Sequence, residues 1–386
     1  MTHNVVILGS TGSIGENTLD VLAHLGHPYR VYGLSAHSRV ARLAEQAGRF
    51  GARRAVVSRS DLGGDLSASL AGGRTSAEAG EPALVSLAAD PEVQTVVSAI
   101  VGAAGLPAAL AAVRAGKRVA IANKEPLVTA GHVFTRAAAE SGAEILPVDS
   151  EHSAVFQCLR SGRPGEVRRV VLTASGGPFR ETPPDRLADV TVEDALRHPN
   201  WKMGPKITID SATMMNKALE VVEARWLFDL RPDQIEVVVH PESVVHSLVE
   251  FCDGSVIAQL GPPDMRTPIQ YALTHPHRRT GNVPPLDLAG LGRLRFEPPD
   301  LRRFPALRLG FEVARVGGTA GAVFNAANEV AVAAFLDRRI GFVGITRIVE
   351  RVLGSHHIQA DPDLPDCLAA DHWARAEAGR LVESGS

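Results

Sequence analysis

Val5-Val6-Ile7-Leu8-Gly9-Ser10-Thr11-Gly12-Ser13-Ile14-Gly15 is the stretch on which the fold turns. Four consecutive apolar residues read as a strand buried on both faces, and a helical pattern, Thr18–Leu25, follows the glycines. In a strand–turn–helix, the first glycine permits the tight turn. The second lets backbone approach a pyrophosphate, and the third lets the helix pack against the strand. The helix N-terminus then presents oriented N–H donors to an anion. The glycines fall as GxxGxxG and not GxGxxG, so a purely structural turn in an α/β sheet is the competing reading.

Outward from this stretch, Val31–Leu34, Ala55–Val57, Val96–Ile100, Val119–Ala122 and Ile145–Val148 read as further buried strands with helical segments such as Val40–Ala47 between them. This alternation predicts an α/β fold whose N-terminal part is a doubly wound, Rossmann-type parallel sheet. From Ser150 the pattern changes to α+β. Strands are expected at Val170–Ala174, Ile207–Asp210, Val237–Val239, Val244–Phe251 and Val256–Leu260, and a helix at Ala212–Phe228. The prolines from Pro284-Pro285 to Pro298-Pro299 punctuate a connector. Leu307–Val316, Ala320–Leu336, Ile345–Leu353 and Asp371–Leu381 read as a helical C-terminal domain. The expected domains are 1–149 for the cofactor, 150–280 for catalysis and dimerisation with a mobile loop at 175–205, a linker at 281–304, and helical 305–386.

The 386 residues carry 40 Lys+Arg against 43 Asp+Glu. A net charge of −3 supplies no electrostatic drive toward nucleic acid or an anionic membrane, so neither is an expected partner. Cys158, Cys252 and Cys367 are widely separated, which argues against a disulfide framework or a thiolate zinc site and fits a reducing cytoplasm. Residues 93–113 carry no charge, but Gln94, Thr95, Ser98, Gly102, Gly105 and Pro107 interrupt them. A strand, a turn and an Ala-rich helix fit better than a membrane span.

The second strand ends in Leu34-Ser35-Ala36-His37-Ser38-Arg39, without the acid that would hold a ribose 2′-hydroxyl. His37, Ser38 and Arg39 suit a 2′-phosphate instead, which favours NADPH; a solvated surface arginine is the alternative for Arg39. Asp149-Ser150-Glu151 follows strand Ile145–Val148, where period-2 geometry puts both carboxylates on one side of the chain. Asp210-Ser211-Ala212-Thr213 is expected to cap a helix whose Asn216, Lys217 and Glu220 share a face. Asp149, Glu151 and Glu220 would form an all-oxygen site suited to one Mg²⁺ or Mn²⁺ ion. Glu220 as a plain surface acid is the competing reading. The Ser175-Gly176-Gly177-Pro178 turn, with Ser211, Asn216 and Lys217, suits a phosphate. Between them runs a long irregular segment, 175–205, which carries His198 and Trp201. A lid is expected, with a fixed loop packed into the core as the alternative. His240, Glu242 and His246 sit among apolar strands and read as structural, and Asn325 and Asn328 read as buried groups docking the C-terminal domain.

Gly9–Gly15, Ala122-Asn123-Lys124-Glu125, Pro147–His152, Ser175–Arg180, His198-Pro199-Asn200-Trp201 and Asp210–Lys217 with Glu220 stand in order. Together they resemble the 1-deoxy-D-xylulose 5-phosphate reductoisomerase family over roughly residues 4–350. The resemblance implies metal binding by Asp149, Glu151 and Glu220. It implies sugar-chain contacts from Lys124, Ser150 and Glu151, and phosphate contacts from Ser175, Ser211, Asn216 and Lys217. His198 would lie against the substrate and Trp201 would close over it. Thr11, Gly12, Ser13, Ile14, Asn123, Glu125 and Gly204 would belong to the NADPH site. Similar enzymes are homodimers. They reduce a sugar phosphate, 1-deoxy-D-xylulose 5-phosphate, to 2-C-methyl-D-erythritol 4-phosphate after rearranging its skeleton. His37 and Arg39 depart from the Gly and Asn usual in relatives, and Pro126 replaces the usual Ser or Thr. The rival classes are a two-domain NADP dehydrogenase and a non-catalytic NADP-sensing regulator. Neither calls for the carboxylate triad together with the phosphate clamp.

Overall fold

The structure is a computed structural model, and it describes residues 2–201 and 203–384. The chain packs as two compact units, Met1–Pro126 with Phe134–Ser153 and Asp264–Pro284, and Leu127–Val133 with Ala154–Pro263 and Pro285–Ser386.

The first unit is built on seven parallel strands: β1 (His3–Leu8), β2 (Tyr29–Ala36), β3 (Arg54–Val57), β4 (Ser76–Ala79), β5 (Thr95–Ser98), β6 (Arg118–Ile121) and β7 (Glu144–Pro147). Their order is β4-β3-β2-β1-β5-β6-β7. Helices α1 (Ser13–Leu25), α2 (Val40–Phe50), α3 (Gly63–Ser69), α4 (Glu81–Ala89), α5 (Leu106–Arg114) and α6 (Glu125–Ser141) make the crossovers. The order reverses between β1 and β5, which pair in register from Val5↔Thr95 to Leu8↔Ser98. Ligands of open parallel sheets bind at such a switch point, outside the strand C-termini. Val5 to Leu8 are fully buried, as a strand covered by helices on both faces must be. The sequence pattern missed β4, because Ser-Ala-Glu-Ala has no branched apolar run and the strand lies at the sheet edge. The uncharged 93–113 stretch is β5, a turn and α5, and no helix among the described residues is long and apolar enough to cross a membrane.

α7 (Ser150–Leu159) leads out of the first unit. The second unit contains the mixed sheet β11-β10-β8-β9, with β8 (Val167–Ala174), β9 (Ile235–Val239), β10 (Val245–Phe251) and β11 (Val256–Leu260). Its helices are α8 (Val192–Ala195), α9 (Pro205–Ala212) and α10 (Met215–Leu227), then α12 (Leu288–Leu291), α13 (Ala306–Val316), α14 (Ala320–Leu336), α15 (Phe342–Ser355) and α16 (Leu364–Glu383). The expected strand Ile207–Asp210 is therefore helical. Gly204 takes an extended N-cap conformation and Pro205 sits at the first helical position, a strong helix start that outweighs the Ile-Thr-Ile alternation. The C-terminal helices and the β8–β10 face share one core that includes Phe179, Leu187, Met215, Leu219, Phe324 and Ile345.

The compact units do not follow the linear order. Residues 264–280, read from sequence as the end of the central domain, and 281–284, read as the start of the linker, pack in the first unit. There α11 (Arg266–Thr274) lies against α1, with Asp20 held by Arg266 at 3.3 Å and by Asn282 at 2.9 Å.

Candidate active site

In the first unit, the glycine turn is held from several sides. Ser35 accepts through Oγ from the Gly9 N–H at 3.0 Å and through its carbonyl from the Ser10 N–H at 2.8 Å. Ser10 Oγ meets Gln46 Oε1 at 2.8 Å, and Gln46 donates back to the Ser10 carbonyl at 3.1 Å. Gly9 has φ +85°, and a Cβ there would lie 2.6 Å from the Ala99 carbonyl oxygen. A Cβ on Gly15 would lie 2.4 Å from the Gly9 carbonyl oxygen. The fold itself thus requires both glycines. Gly12 is different: it is exposed, and its Cβ would only touch Gly9 O at an ordinary 3.5 Å. Gly12 is the N-cap of α1 and no side chain caps that helix, so bare backbone is presented at its positive end.

Arg39 turns its Nη1 to the Thr11 carbonyl at 2.9 Å, and His37 Nδ1 lies 2.8 Å from Ser58 Oγ. All three of His37, Ser38 and Arg39 are exposed beside the turn. At the end of β5, Ser98 Oγ donates to Asn123 Oδ1 at 2.9 Å, while the buried Asn123 Nδ2 has no hydrogen-bond partner. Pro126 stands at the start of α6 behind Glu125, where a missing N–H costs nothing.

Lys124 and Asp149 meet beyond the C-terminal ends of β6 and β7, with Nζ 3.1 Å from Oδ2. Both side chains are largely buried. Asp149 Oδ1 accepts from the Glu151 N–H at 3.1 Å and the His152 N–H at 3.3 Å. Ser150 Oγ donates to Glu151 Oε2 at 2.6 Å. The period-2 argument for this stretch fails, because the chain is already helical from Ser150. Asp149 instead occupies the capping place of α7 and Glu151 lies in its first turn. His152, which sequence reasoning passed over, is fully buried beside Asp149.

In the second unit, α10 begins at Met215 after Met214, which is left-handed at φ 62°. Asp210-Ser211-Ala212-Thr213 is therefore not its cap. Asp210 belongs to α9 and is buried against Lys206, with Nζ 2.9 Å away. On α10, Asn216 Nδ2 donates to Glu220 Oε1 at 2.5 Å and Lys217 Nζ donates to Oε2. Glu220 is fully buried, so the plain surface acid is excluded.

Gly177 has φ +66°, and a Cβ there would come 2.7 Å from the Ser211 carbonyl oxygen. The two phosphate candidates, Ser175-Gly176-Gly177 and Ser211, are thus neighbours. The turn does not expose all its N–H groups, since Gly177 N–H donates to Ser175 Oγ at 3.2 Å. His198 Nε2 lies 3.0 Å from the same Oγ. His198 Nδ1 accepts from the backbone N–H groups of Trp201 at 2.9 Å and Asn200 at 3.2 Å. The neutral ring therefore carries its proton on Nε2 and donates to Ser175. Asn200, also missed, donates to Pro241 O at 2.7 Å and Ser243 Oγ at 2.9 Å. Trp201 is half-buried with its ring centroid 6.4 Å from His246, Gly204 is exposed, and Lys202 lies outside the described residues.

Segment 175–205 is anchored in the core at a few points. Phe179 packs edge-on against Phe342 at 5.0 Å between centroids, and Leu187 and Ala195 are in the core. His240 is structural, as expected: Nδ1 faces Arg295 O at 2.8 Å, and Nε2 accepts from the Val244 and Val245 N–H groups.

Three family models match consecutive parts of the chain. One described as 1-deoxy-D-xylulose 5-phosphate reductoisomerase covers residues 5–131, its C-terminal domain covers 145–228, and a DXP reductoisomerase C-terminal domain covers 260–377. The 1-deoxy-D-xylulose 5-phosphate reductoisomerase of Aromatoleum aromaticum is 55% identical over 99% of this chain and 96% of the relative. That of Synechococcus is 52% identical over 98% and 97%. Among solved structures, the Zymomonas mobilis enzyme in complex with NADPH has a TM-score of 0.94 at 48% identity, covering 100% of both chains. A DOX-P reductoisomerase in complex with NADPH, fosmidomycin and magnesium has a TM-score of 0.95 at 43% identity, covering 100% of both.

Proposed function

The chain belongs to the 1-deoxy-D-xylulose 5-phosphate reductoisomerase family, and from that premise we propose how its residues share the work. It is an NADPH-dependent oxidoreductase that converts 1-deoxy-D-xylulose 5-phosphate to 2-C-methyl-D-erythritol 4-phosphate in the non-mevalonate isoprenoid pathway, with a divalent cation as second cofactor. The observation that carries our assignment of roles is the Lys124–Asp149 pair. It lies at the C-terminal edge of the same parallel sheet whose switch point holds the glycine turn.

The residues present fit the nucleotide. Gly12 leaves the end of α1 bare for a pyrophosphate, and the unpartnered Asn123 amide N–H is a donor awaiting an acceptor. Thr11, Ser13, Ile14, Glu125 and Gly204 complete our assignment, with His37, Ser38 and Arg39 at the 2′-phosphate. NADPH, when bound, supplies the hydride for the reduction. The carboxylates of Asp149, Glu151 and Glu220 are hard oxygen donors, and we assign them to Mg²⁺ or Mn²⁺. The cation, when bound, supplies Lewis acidity to the substrate's carbonyl and hydroxyl oxygens.

The chain's own groups do the rest. Lys124 brings a buried positive charge to the reacting oxygens and stabilises negative charge that develops there. Ser150 and Glu151 orient the sugar chain. Ser175 Oγ accepts from His198 Nε2–H and from Gly177 N–H, so its own O–H is left to donate to the phosphate. Ser211, Asn216 and Lys217 supply the remaining phosphate donors. We confine the lid to residues 196–204, because Phe179, Leu187 and Ala195 anchor the earlier part of the segment in the core; Trp201 is its aromatic cover.

We further propose a homodimer located in the cytoplasm. Val256 and Ile257 on the outer strand β11 are 51% and 37% exposed, an apolar edge suited to a second copy. The three cysteines are free, which fits a reducing compartment. The experiment is NADPH oxidation with 1-deoxy-D-xylulose 5-phosphate, with and without Mg²⁺ or Mn²⁺. Oxidation that needs both substrate and cation supports the assignment, and oxidation indifferent to the cation removes the carboxylate triad. Sedimentation velocity tests the dimer.

A further inference from the structure

α9 carries Ser211 at its C-terminal end, and the residue before it, Asp210, is 1% exposed. A carboxylate held inside a helix interface is costly unless partnered. One partner is local, Lys206 a turn earlier. The other is 118 residues away: Asn328 Nδ2 on α14, 2.9 Å from Asp210 Oδ1. Asn328 is fully buried beside Ala326, Ala327, Ala331 and Val332. Its amide oxygen is buried too and has no hydrogen-bond partner. An orphaned amide oxygen disfavours the folded state, so what the residue contributes lies in its bond to Asp210. What the amide contributes is direction, through one charge-assisted N–H···O bond.

We propose that Asn328 is a positioning residue for the phosphate end of the substrate site, acting through Asp210. The proposal rests on the reading of Ser175, Ser211, Asn216 and Lys217 as the phosphate clamp. Successive residues project about 100° apart around a helix, so fixing Asp210 in the α14 interface fixes the angle at which Ser211 projects. The Ser211 carbonyl in turn abuts Gly177, whose N–H holds Ser175 Oγ. Asn328, Asp210, Ser211, Gly177 and Ser175 form one line of contacts. If the first bond is lost, α9 is free to roll and both serine hydroxyls leave their places.

The test compares N328L, N328D and the exchange variant D210N/N328D with the parent enzyme and with S211A. N328L should raise both the KM for 1-deoxy-D-xylulose 5-phosphate and the inhibition constant of inorganic phosphate by about tenfold. The change in kcat should be smaller, and the Kd for NADPH should hold. N328D, which sets two carboxylates together, should be worse. D210N/N328D restores an amide–carboxylate pair and should recover most of the loss. A folded N328L that loses thermal stability but keeps both constants would overturn the proposal. So would an exchange variant no better than N328D, which decides the matter should N328L fail to fold. S211A separates the underlying reading: if it too leaves both constants unchanged, the phosphate clamp itself is misassigned. If it raises them while N328L does not, only the role of Asn328 falls.

Discussion

At the scale of single residues, the site rests on a few groups whose identity the backbone or the chemistry dictates. Gly9 is demanded by a contact under 3 Å with the Ala99 carbonyl and Gly15 by contacts under 3 Å inside the turn, whereas Gly12 is demanded by nothing inside the protein. Arg39 already donates to Thr11 O through Nη1, so the arginine both steadies the turn and stands beside the expected 2′-phosphate. A charge-assisted bond of this kind contributes about 1.5–3 kcal/mol. Arg39→Ala should weaken NADPH binding by roughly one to two decades. It should leave NADH binding little changed, as equilibrium titration of the two cofactors would show. Equal losses for both would mean that Arg39 serves only the turn. Glu220 is the second case. Glu220→Gln keeps the shape and the bond from Asn216 but removes one negative charge from the proposed cation site. We expect kcat to collapse with NADPH affinity nearly intact. Near-parental kcat at ordinary Mg²⁺ would remove Glu220 from the triad.

At the scale of elements, a cluster of charges ties the outer strands of the parallel sheet together. Arg54, the first residue of β3, meets Glu78 of β4 at 2.7 Å and Asp90 after α4 at 2.8 Å. The Tyr32 hydroxyl of β2 shares its one proton between Asp90 at 3.0 Å and Glu92 at 2.8 Å, and its pKa is pushed up by burial and by those two carboxylates. Burial opposes ionisation of Asp90, but the Glu92 N–H, the Arg54 guanidinium and the Tyr32 hydroxyl outweigh it. They hold the carboxyl below its ordinary value. A depressed folded-state pKa contributes stability that is present above the unfolded value near 4 and is lost as pH falls through the folded value. Asp90→Asn should therefore cost about 1–3 kcal/mol at pH 7. The cost should shrink toward zero in acid, measured by urea unfolding at both pH values. A penalty independent of pH would mean that the carboxylate charge is not what the cluster uses.

At the scale of the whole molecule, the chain passes repeatedly between its two compact units, and the site candidates are divided between them. The glycine turn, Lys124, Asp149 and Glu151 are in the first unit; Ser175, His198, Ser211, Lys217 and Glu220 are in the second. The proposed lid belongs wholly to the second. Asn200 at its middle is hydrogen-bonded to Pro241 and Ser243, while Leu196 is 40% exposed and Trp201 only half-buried. Completing the burial of a ring already half-buried contributes on the order of 1–1.5 kcal/mol, enough to bias an open–closed equilibrium by about one decade. Trp201→Ala should weaken substrate binding and turnover with little loss of thermal stability. Hydrogen exchange across 196–204 should slow when substrate analogue and cation bind. Protection that is already high and does not respond to ligand would identify a fixed loop.

The chain's own order of residues determined the parallel sheet, the glycine turn and the family. Val5–Leu8, the glycines and the Asn123–Glu125 and Asp149–Glu151 runs act locally, and local spacing is what a sequence displays. It also carried the nearness of Asn216, Lys217 and Glu220, since a helix turns three and four residues onto one face. Other features needed the folded chain. Ile207–Asp210 reads as a strand by alternation, yet a proline at the helix start and the packing of Asp210 against α14 make it helical. β4 is a strand only because β3 offers it a ladder at Arg54–Val57. The orphaned Asn123 amide, the approach of His198 to Ser175 and the bond from Asn328 to Asp210 depend on groups well separated in the chain. Their hydrogen bonds are settled by tertiary distance, which no spacing along the sequence encodes.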